Sequence, residues 1–376
     1  TCKMIYLDYA ATSPVRREVL EEMLPYFCEQ FGNPDSLHAA GRRAALALRT
    51  ARDRIAAVLG VKSSEVYFTS GGTEADNWAV LGIARERGGR VLLSPIEHDA
   101  MLAPVARGRE HVFCRVGADG IVSPDHVRDL LKKEGDVSLV AVMAVNNETG
   151  CVQPAMELAE AAHAHGAYFF SDCVQAASCA DLKALADCCD AISLSAHKVG
   201  GPKGTGVLVL KKGIKLTPLI SGGEQERGLR GGTSNVAGAV GFAAALELAQ
   251  KERAQFVQHT DSVRTLFEQK IFDALGGEVR ADGERRCPNI SHLTFEHGGT
   301  AFTDILDLAG VACSRGAACS SHSAKPSHVL MAMGRSAEES LRGVRFSFGM
   351  QTSEKDAADA AQIVIESYRK FKGGIS

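Results

Sequence analysis

The sequence predicts an α/β chain, with a mainly parallel sheet in a large domain and a smaller α+β domain beside it. Three observations carry that prediction. From residue 66 to 211, short apolar runs alternate with helical stretches, the pattern of a parallel sheet covered on both faces. After residue 272 the pattern changes to a few strands and a long final helix. The chain of 376 residues, 45% of them hydrophobic, is long enough to bury a sizeable core without disulfides. The expected division is 14–250 for the large domain, with 1–13 and 251–376 forming the small one.

The elements follow in order. A helical pattern covers 15–31, with Pro14 near its start, and a second helix covers 39–59 and stops at Gly60. Six strands are expected at VYF (66–68), RVLLS (90–94), VSLVAVMAV (137–145), AYFFS (167–171), AISLS (191–195) and GVLVLK (206–211). Helices fall between most of them, as at 155–166. Residues 237–272 read as a helical connector. NISHLTF (289–295), the segment 304–319 and VRFSF (344–348) build the smaller domain, and a helix over 353–371 ends it.

Composition excludes several functions. A net charge of −3 with no basic run argues against a nucleic-acid partner. No run of about 18 apolar residues suggests a membrane span, and TCKMIYLDYAATSP lacks the apolar stretch of a signal peptide, so a cytoplasmic protein is expected. The eleven cysteines are irregularly spaced and form no C-x-x-C, which leaves zinc ribbons and thioredoxin-like chemistry without support.

Chemistry is expected at the carboxyl ends of the strands, where ligands collect in open α/β sheets. Five strands each end in polar loops: TSGGTEADN, PIEHDA, NNETG, DCVQ and AHKVGGPKG. Lys198 follows a buried strand and can form a Schiff base if its pKa is lowered, although a surface lysine is the plainer reading. Asp172 suits a protonated pyridine nitrogen, or a helix cap. Thr73 opens a helix whose N-terminus, behind two glycines, suits a phosphate. His98 can stack on a ring or shuttle a proton. Asn146 and Asn147 are donors, or parts of a turn.

Taken together, LDYAATSPV (7–15), FTSGGTEADN (68–77), EHDA (97–100), VNNETG (145–150), SDCVQ (171–175), SLSAHKVGGPKGTGVL (193–208), ERGLRGGTSN (226–235) and VRFSFG (344–349) resemble the cysteine desulfurases of the NifS/IscS type. These are pyridoxal 5'-phosphate enzymes of transferase fold type I, class V. The resemblance spans about residues 4–371. It implies Lys198 as the Schiff-base lysine, Asp172 at the pyridine nitrogen, Gln175 at the phenolate oxygen and His98 over the ring. It implies Thr73, Ser195 and His197 at the phosphate, joined by Thr233 of a second subunit in a homodimer. Asn147 and Arg345 would hold the carboxylate of L-cysteine. Cys319 would take the sulfur as a persulfide and deliver it to an acceptor protein, such as an iron–sulfur scaffold.

Several positions depart from the usual pattern: Cys173, Glu224, Cys313, Arg315, Lys325 and His328. None falls on the implied cofactor contacts. His322 is a further candidate base, and Cys313 is either core or a partner able to trap Cys319. The alternatives are a selenocysteine lyase or another class V transferase and, outside enzymes of this kind, a metal-binding or redox-sensing protein using its cysteines.

Overall fold

A seven-stranded sheet organises the molecule in the computed structural model, which describes residues 4–315 and 325–375. In chain order the strands are β1 (Ile5–Tyr6), β2 (Val66–Thr69), β3 (Arg90–Leu93), β4 (His111–Phe113), β5 (Val137–Ala141), β6 (Tyr168–Asp172), β7 (Ala191–Ser195), β8 (Gly206–Leu210), β9 (Val279–Ala281), β10 (Ile290–Phe295), β11 (Val311–Ala312), β12 (Ser314–Arg315) and β13 (Gly343–Ser347). The helices are α1 (Arg17–Met23), α2 (Pro25–Cys28), α3 (Ala39–Leu59), α4 (Gly72–Arg87), α5 (Asp99–Ala106), α6 (Pro124–Glu134), α7 (Ala155–Ala164), α8 (Leu182–Cys188), α9 (Val236–Lys251), α10 (Arg253–Leu275), α11 (Phe302–Leu308), α12 (His328–Ala332) and α13 (Glu354–Ile375).

The large sheet has the order β2-β8-β7-β6-β5-β3-β4. Its pairs are parallel from β7 through β4, and only β8 runs antiparallel to its neighbours. The mainly parallel sheet is therefore as expected. Strands β5, β7 and β8 are buried along their whole length, because helices cover both faces. On one face α4 sets Trp78, Ala79 and Ile83 against Val91, Leu139 and Phe170. On the other, α3, α7 and α9 supply a core rich in alanine. In α3, Ala44, Ala47, Ala51, Ile55 and Leu59 recur on one buried face. The helix stops at Gly60, at φ 68°, a left-handed cap that a side chain would strain.

The second sheet is smaller and antiparallel, with the order β12-β13-β10-β9. It packs against α10 and α13 through Phe267, Phe295, Phe346, Phe348 and Tyr368, with Leu7 in the same core. Phe267 lies 4.8 Å and 5.4 Å, ring to ring, from Phe346 and Phe348.

Some boundaries differ from expectation. The helix over 15–31 is two shorter ones, since Pro25 has no N–H to continue the ladder. The connector breaks at Glu252, whose φ of −94° and ψ of 4° leave the helical range, and whose carboxylate receives Arg16 at 2.7 Å. The run 137–145 is a strand only to Ala141, although Val142 and Ala144 continue to bond β6 carbonyls. β4 was not expected: three half-exposed edge residues carry little periodic signal.

Candidate active site

Strands β3, β5, β6 and β7 all point their carboxyl ends at one cleft of about 310 Å³. Nine of the expected residues line it: Thr73, His98, Asn147, Asp172, Gln175, Ser195, His197, Lys198 and Arg345. Thr233 is exposed and does not line it. Cys319 and His322 lie outside the described residues. A larger cleft of about 660 Å³ also reaches Lys198 and Gln175, but Thr73, His98, Asp172 and Arg345 are not on it. The smaller cleft holds the convergent ionisable groups and is the candidate site.

Lys198 ends a single helical turn after β7, and its Nζ donates to the carbonyls of Ala10 and Ala11 at 2.5 Å and 2.8 Å. Gln175 Nε2 donates to the same Ala10 carbonyl at 2.9 Å. These carbonyls belong to a turn over 8–12, closed by Ala11 and Thr12 N–H groups donating to Asp8 O. The N-terminal LDYAATSP segment thus fixes the lysine's resting position.

Asp172, the last residue of β6, is almost fully buried, and its Oδ1 accepts the Val174 N–H at 2.9 Å. Burial raises its pKa, while Val174 N–H, His98 and Lys198 oppose the rise. Two further carboxylates lie close behind it. Asp76 of α4 accepts from Ser193 Oγ at 2.5 Å and is held well above the usual range, by burial first and by Asp172 and Glu97 next. Glu97 takes the Met143 N–H at 2.9 Å and pairs with Ser94 Oγ; burial pushes its carboxyl up to about 8. A cluster of three buried acids attracts a cation, and a pyridinium ring beside Asp172 is such a cation.

His98 caps α5: its Nδ1 accepts the Ala100 N–H at 3.1 Å, so the neutral ring carries its proton on Nε2. At the other end of the cleft, α4 begins at Gly72, and a side chain there would meet Val174 Cγ2 at 2.8 Å. The missing side chain keeps the helix N-terminus, with Thr73 and Ser195, open to an anion. His197 sits there, its Nδ1 3.1 Å from Thr12 Oγ1. Burial, then Lys198 and Lys203, push its pKa down to about 4. A dianionic phosphate would offset those two lysines. Basic, acidic and phosphate-binding groups therefore share one cleft, and this donor set fits pyridoxal phosphate.

Arg345 on β13 closes the cleft from the small sheet, with its side chain 2% exposed. Its Nη1 donates to Asn147 O at 2.8 Å and its Nη2 to Asp8 Oδ1 at 3.0 Å. Asn146, the other asparagine of the pair, is wholly buried and braces the loop: its Oδ1 accepts from the Glu148 and Thr149 N–H groups. Cys313 packs against the small-sheet core, and burial, then Asp8, raises its thiol.

Sequence reasoning did not single out Asp8, Asp76, Glu97 or Glu148. Asp76 and Glu97 lie inside quoted motifs, but a carboxylate near the start of a helix or in the loop after a strand reads as solvated until the packing around it is known. His328 was noted only as a departure; it lines the cleft, with its Nε2 2.9 Å from Glu97 O. Among the described residues no cluster of His, Cys, Asp and Glu could hold a metal ion, and no helix is long and apolar enough to cross a membrane.

Known proteins resemble this chain in sequence and fold. The family model for aminotransferase class-V matches residues 5–359. A cysteine desulfurase IscS of Dictyoglomus turgidum is 39% identical, covering 97% of this chain and 95% of the relative. A putative cysteine desulfurase IscS 1 of Bacillus subtilis is 40% identical, covering 98% and 99%. Among solved structures, a NifS-like protein superimposes with a TM-score of 0.88 at 31% identity, covering 96% of this chain and 98% of the other. DndA from Streptomyces lividans gives a TM-score of 0.76 at 34% identity, covering 92% and 99%.

Proposed function

Since the chain belongs to the aminotransferase class-V family, we propose that it is a pyridoxal-phosphate-dependent cysteine desulfurase, converting L-cysteine to L-alanine and leaving the sulfur on Cys319 as a persulfide. One observation carries the reading: Lys198, Asp172, His98, the α4 N-terminus and Arg345 meet in a single cleft. The relatives named cysteine desulfurase over nearly the whole chain support the substrate.

Pyridoxal phosphate, when bound, supplies an electron sink that acidifies the substrate Cα–H and activates the sulfur for departure. Lys198 would hold it, and its Nζ would serve as the base for the substrate Cα proton. Asp172 would pair with the pyridine nitrogen and keep it protonated, and a cation there would lower the carboxyl's raised pKa. His98 would cover the ring. Thr73, Ser195 and His197 bind the phosphate. Arg345 and Asn147 would hold the carboxylate. The Cys319 thiolate would attack the substrate sulfur: an S–S bond forms as the substrate Cβ–S bond breaks, and Cβ keeps the bonding pair and takes a proton to become the methyl group of alanine.

Thr233 is assigned to the phosphate of a second subunit, which makes the working form a homodimer. The exposed apolar side chains of Leu20, Leu24, Phe27, Phe31 and Leu37 in the N-terminal segment support a second copy there. The sulfur acceptor is a partner protein, and the cellular site is the cytoplasm.

The visible spectrum tests the proposal. The purified protein is expected to be yellow with bound cofactor, and Lys198→Ala to lose both the band and, by about a thousandfold or more, turnover of L-cysteine. A colourless protein that takes up no pyridoxal phosphate refutes it.

A further inference from the structure

Arg345 meets an anion before any substrate arrives. Asp8 Oδ1 accepts from Arg345 Nη2 at 3.0 Å and from Ser314 Oγ at 2.8 Å, so one carboxylate oxygen serves both donors. The arrangement is built by three strands. Ser314 on β12 and Arg345 on β13 are direct partners across the antiparallel ladder. Asp8 follows β1 and bridges to Ser347 on the other end of β13. The aspartate does not line the cleft, whereas Arg345 and Asn147 do. It stands behind the guanidinium, with its side chain 19% exposed.

The arginine has donors to spare. A guanidinium carries five N–H groups. Two are used, toward Asn147 O and Asp8 Oδ1, and Nε is buried with no partner. The plane of the group is therefore fixed from the back and the side, and the remaining donors are those that can meet a ligand carboxylate in the cleft. When one arrives, two carboxylates face one guanidinium. Like charges on opposite sides of a cation weaken each other's hold.

We infer that Asp8 is a positioning residue that holds Arg345 in place from behind and, by its negative charge, weakens the enzyme's grip on the substrate and product carboxylate. This rests on the reading of Arg345 as the carboxylate receptor. A grip that is geometrically exact yet electrostatically moderated suits a site that must release an amino acid at each turnover. Asp8 also ties that grip to the 8–12 turn, whose carbonyls hold Lys198.

The charge and the geometry can be separated. Asp8→Asn keeps an oxygen that accepts from Arg345 and Ser314 but removes the charge; Asp8→Ala removes both. The holoenzyme is titrated with L-alanine, followed by its visible spectrum, and in parallel with ethylamine, which has no carboxylate. Asp8→Asn is expected to bind L-alanine more tightly, by roughly threefold to tenfold for one nearby charge. Asp8→Ala is expected to bind it more weakly than the wild type. Ethylamine binding should change in neither. Ser314→Ala, which leaves Asp8 charged and with one donor fewer, should shift L-alanine the opposite way from Asp8→Asn, and it keeps the test available if the aspartate variants do not fold. Weaker L-alanine binding in Asp8→Asn, or an equal change for ethylamine, overturns the inference and leaves the proposed function standing. A wild-type holoenzyme that binds L-alanine no better than ethylamine instead removes the role of Arg345 on which both rest.

Discussion

The two ends of the cleft treat buried charge differently. On the large-sheet side, Asp76, Glu97 and Asp172 crowd together, and burial raises the pKa of each. On the small-sheet side, the buried Arg345 already has a carboxylate at 3.0 Å. At the first end Lys198 and His98 oppose part of that rise, and a further cation would oppose more of it; at the second the guanidinium already has an anionic partner. On the proposed reading, the cofactor would bring a cation to the acids, and the substrate carboxylate would compete with Asp8 for Arg345.

The largest expected effect breaks the cation-seeking end. Asp172→Asn removes the charge that keeps a pyridinium protonated and should lower turnover of L-cysteine by about a hundredfold to a thousandfold, with weaker cofactor retention measured by dialysis. Retained activity would show that the acid cluster is not what the cofactor meets.

The next effect sharpens the other end. Arg345→Lys keeps a positive charge but loses the planar fork, so KM for L-cysteine should rise by about tenfold to a hundredfold, with kcat less affected. An equal fall of kcat with KM unchanged would place Arg345 in the chemical steps instead.

The smallest effect concerns stability. Glu97 has its pKa raised from about 4.5 to about 8 by burial. A group raised on folding stabilises most below its unfolded pKa, and that contribution is lost as pH rises through about 8. Glu97→Gln is neutral throughout. In the cofactor-free protein it should gain on the wild type by about 2–4 kcal/mol between pH 5 and pH 9, read from denaturant midpoints. A constant difference across that range would mean that Glu97 does not bind a proton on folding.

The same contrast explains what the sequence made legible. Strands β5 to β8 stand out because both faces are buried, so their residues form continuous apolar runs broken sharply by polar ends. Lys198, Asp172, His98 and Thr73 could be found because each sits at such a break. Glu97 sits at one too, one residue before His98, yet nothing in PIEHDA shows that the glutamate turns inward to Met143 N–H while the histidine faces the cleft. Asp8 lay in a quoted motif, but its partners are 306 and 337 residues away in the chain, a pairing that only the small sheet's register creates. The edge strand β4 and the break at Pro25 were missed for a different reason: short, half-exposed elements are set by their neighbours more than by their own residues. Assigning Cys319 rests on resemblance, since CSRGAACSSHS taken alone is a stretch of small residues.

The most direct measurement is the fate of the sulfur. Holoenzyme is given L-cysteine, its thiols are alkylated, and the digested peptides are weighed while L-alanine is counted. The account predicts L-alanine together with one extra sulfur atom on the peptide that carries Cys319, and no such peptide from Cys319→Ala. Extra sulfur on another cysteine, or L-alanine formed at the wild-type rate by Cys319→Ala, would contradict it.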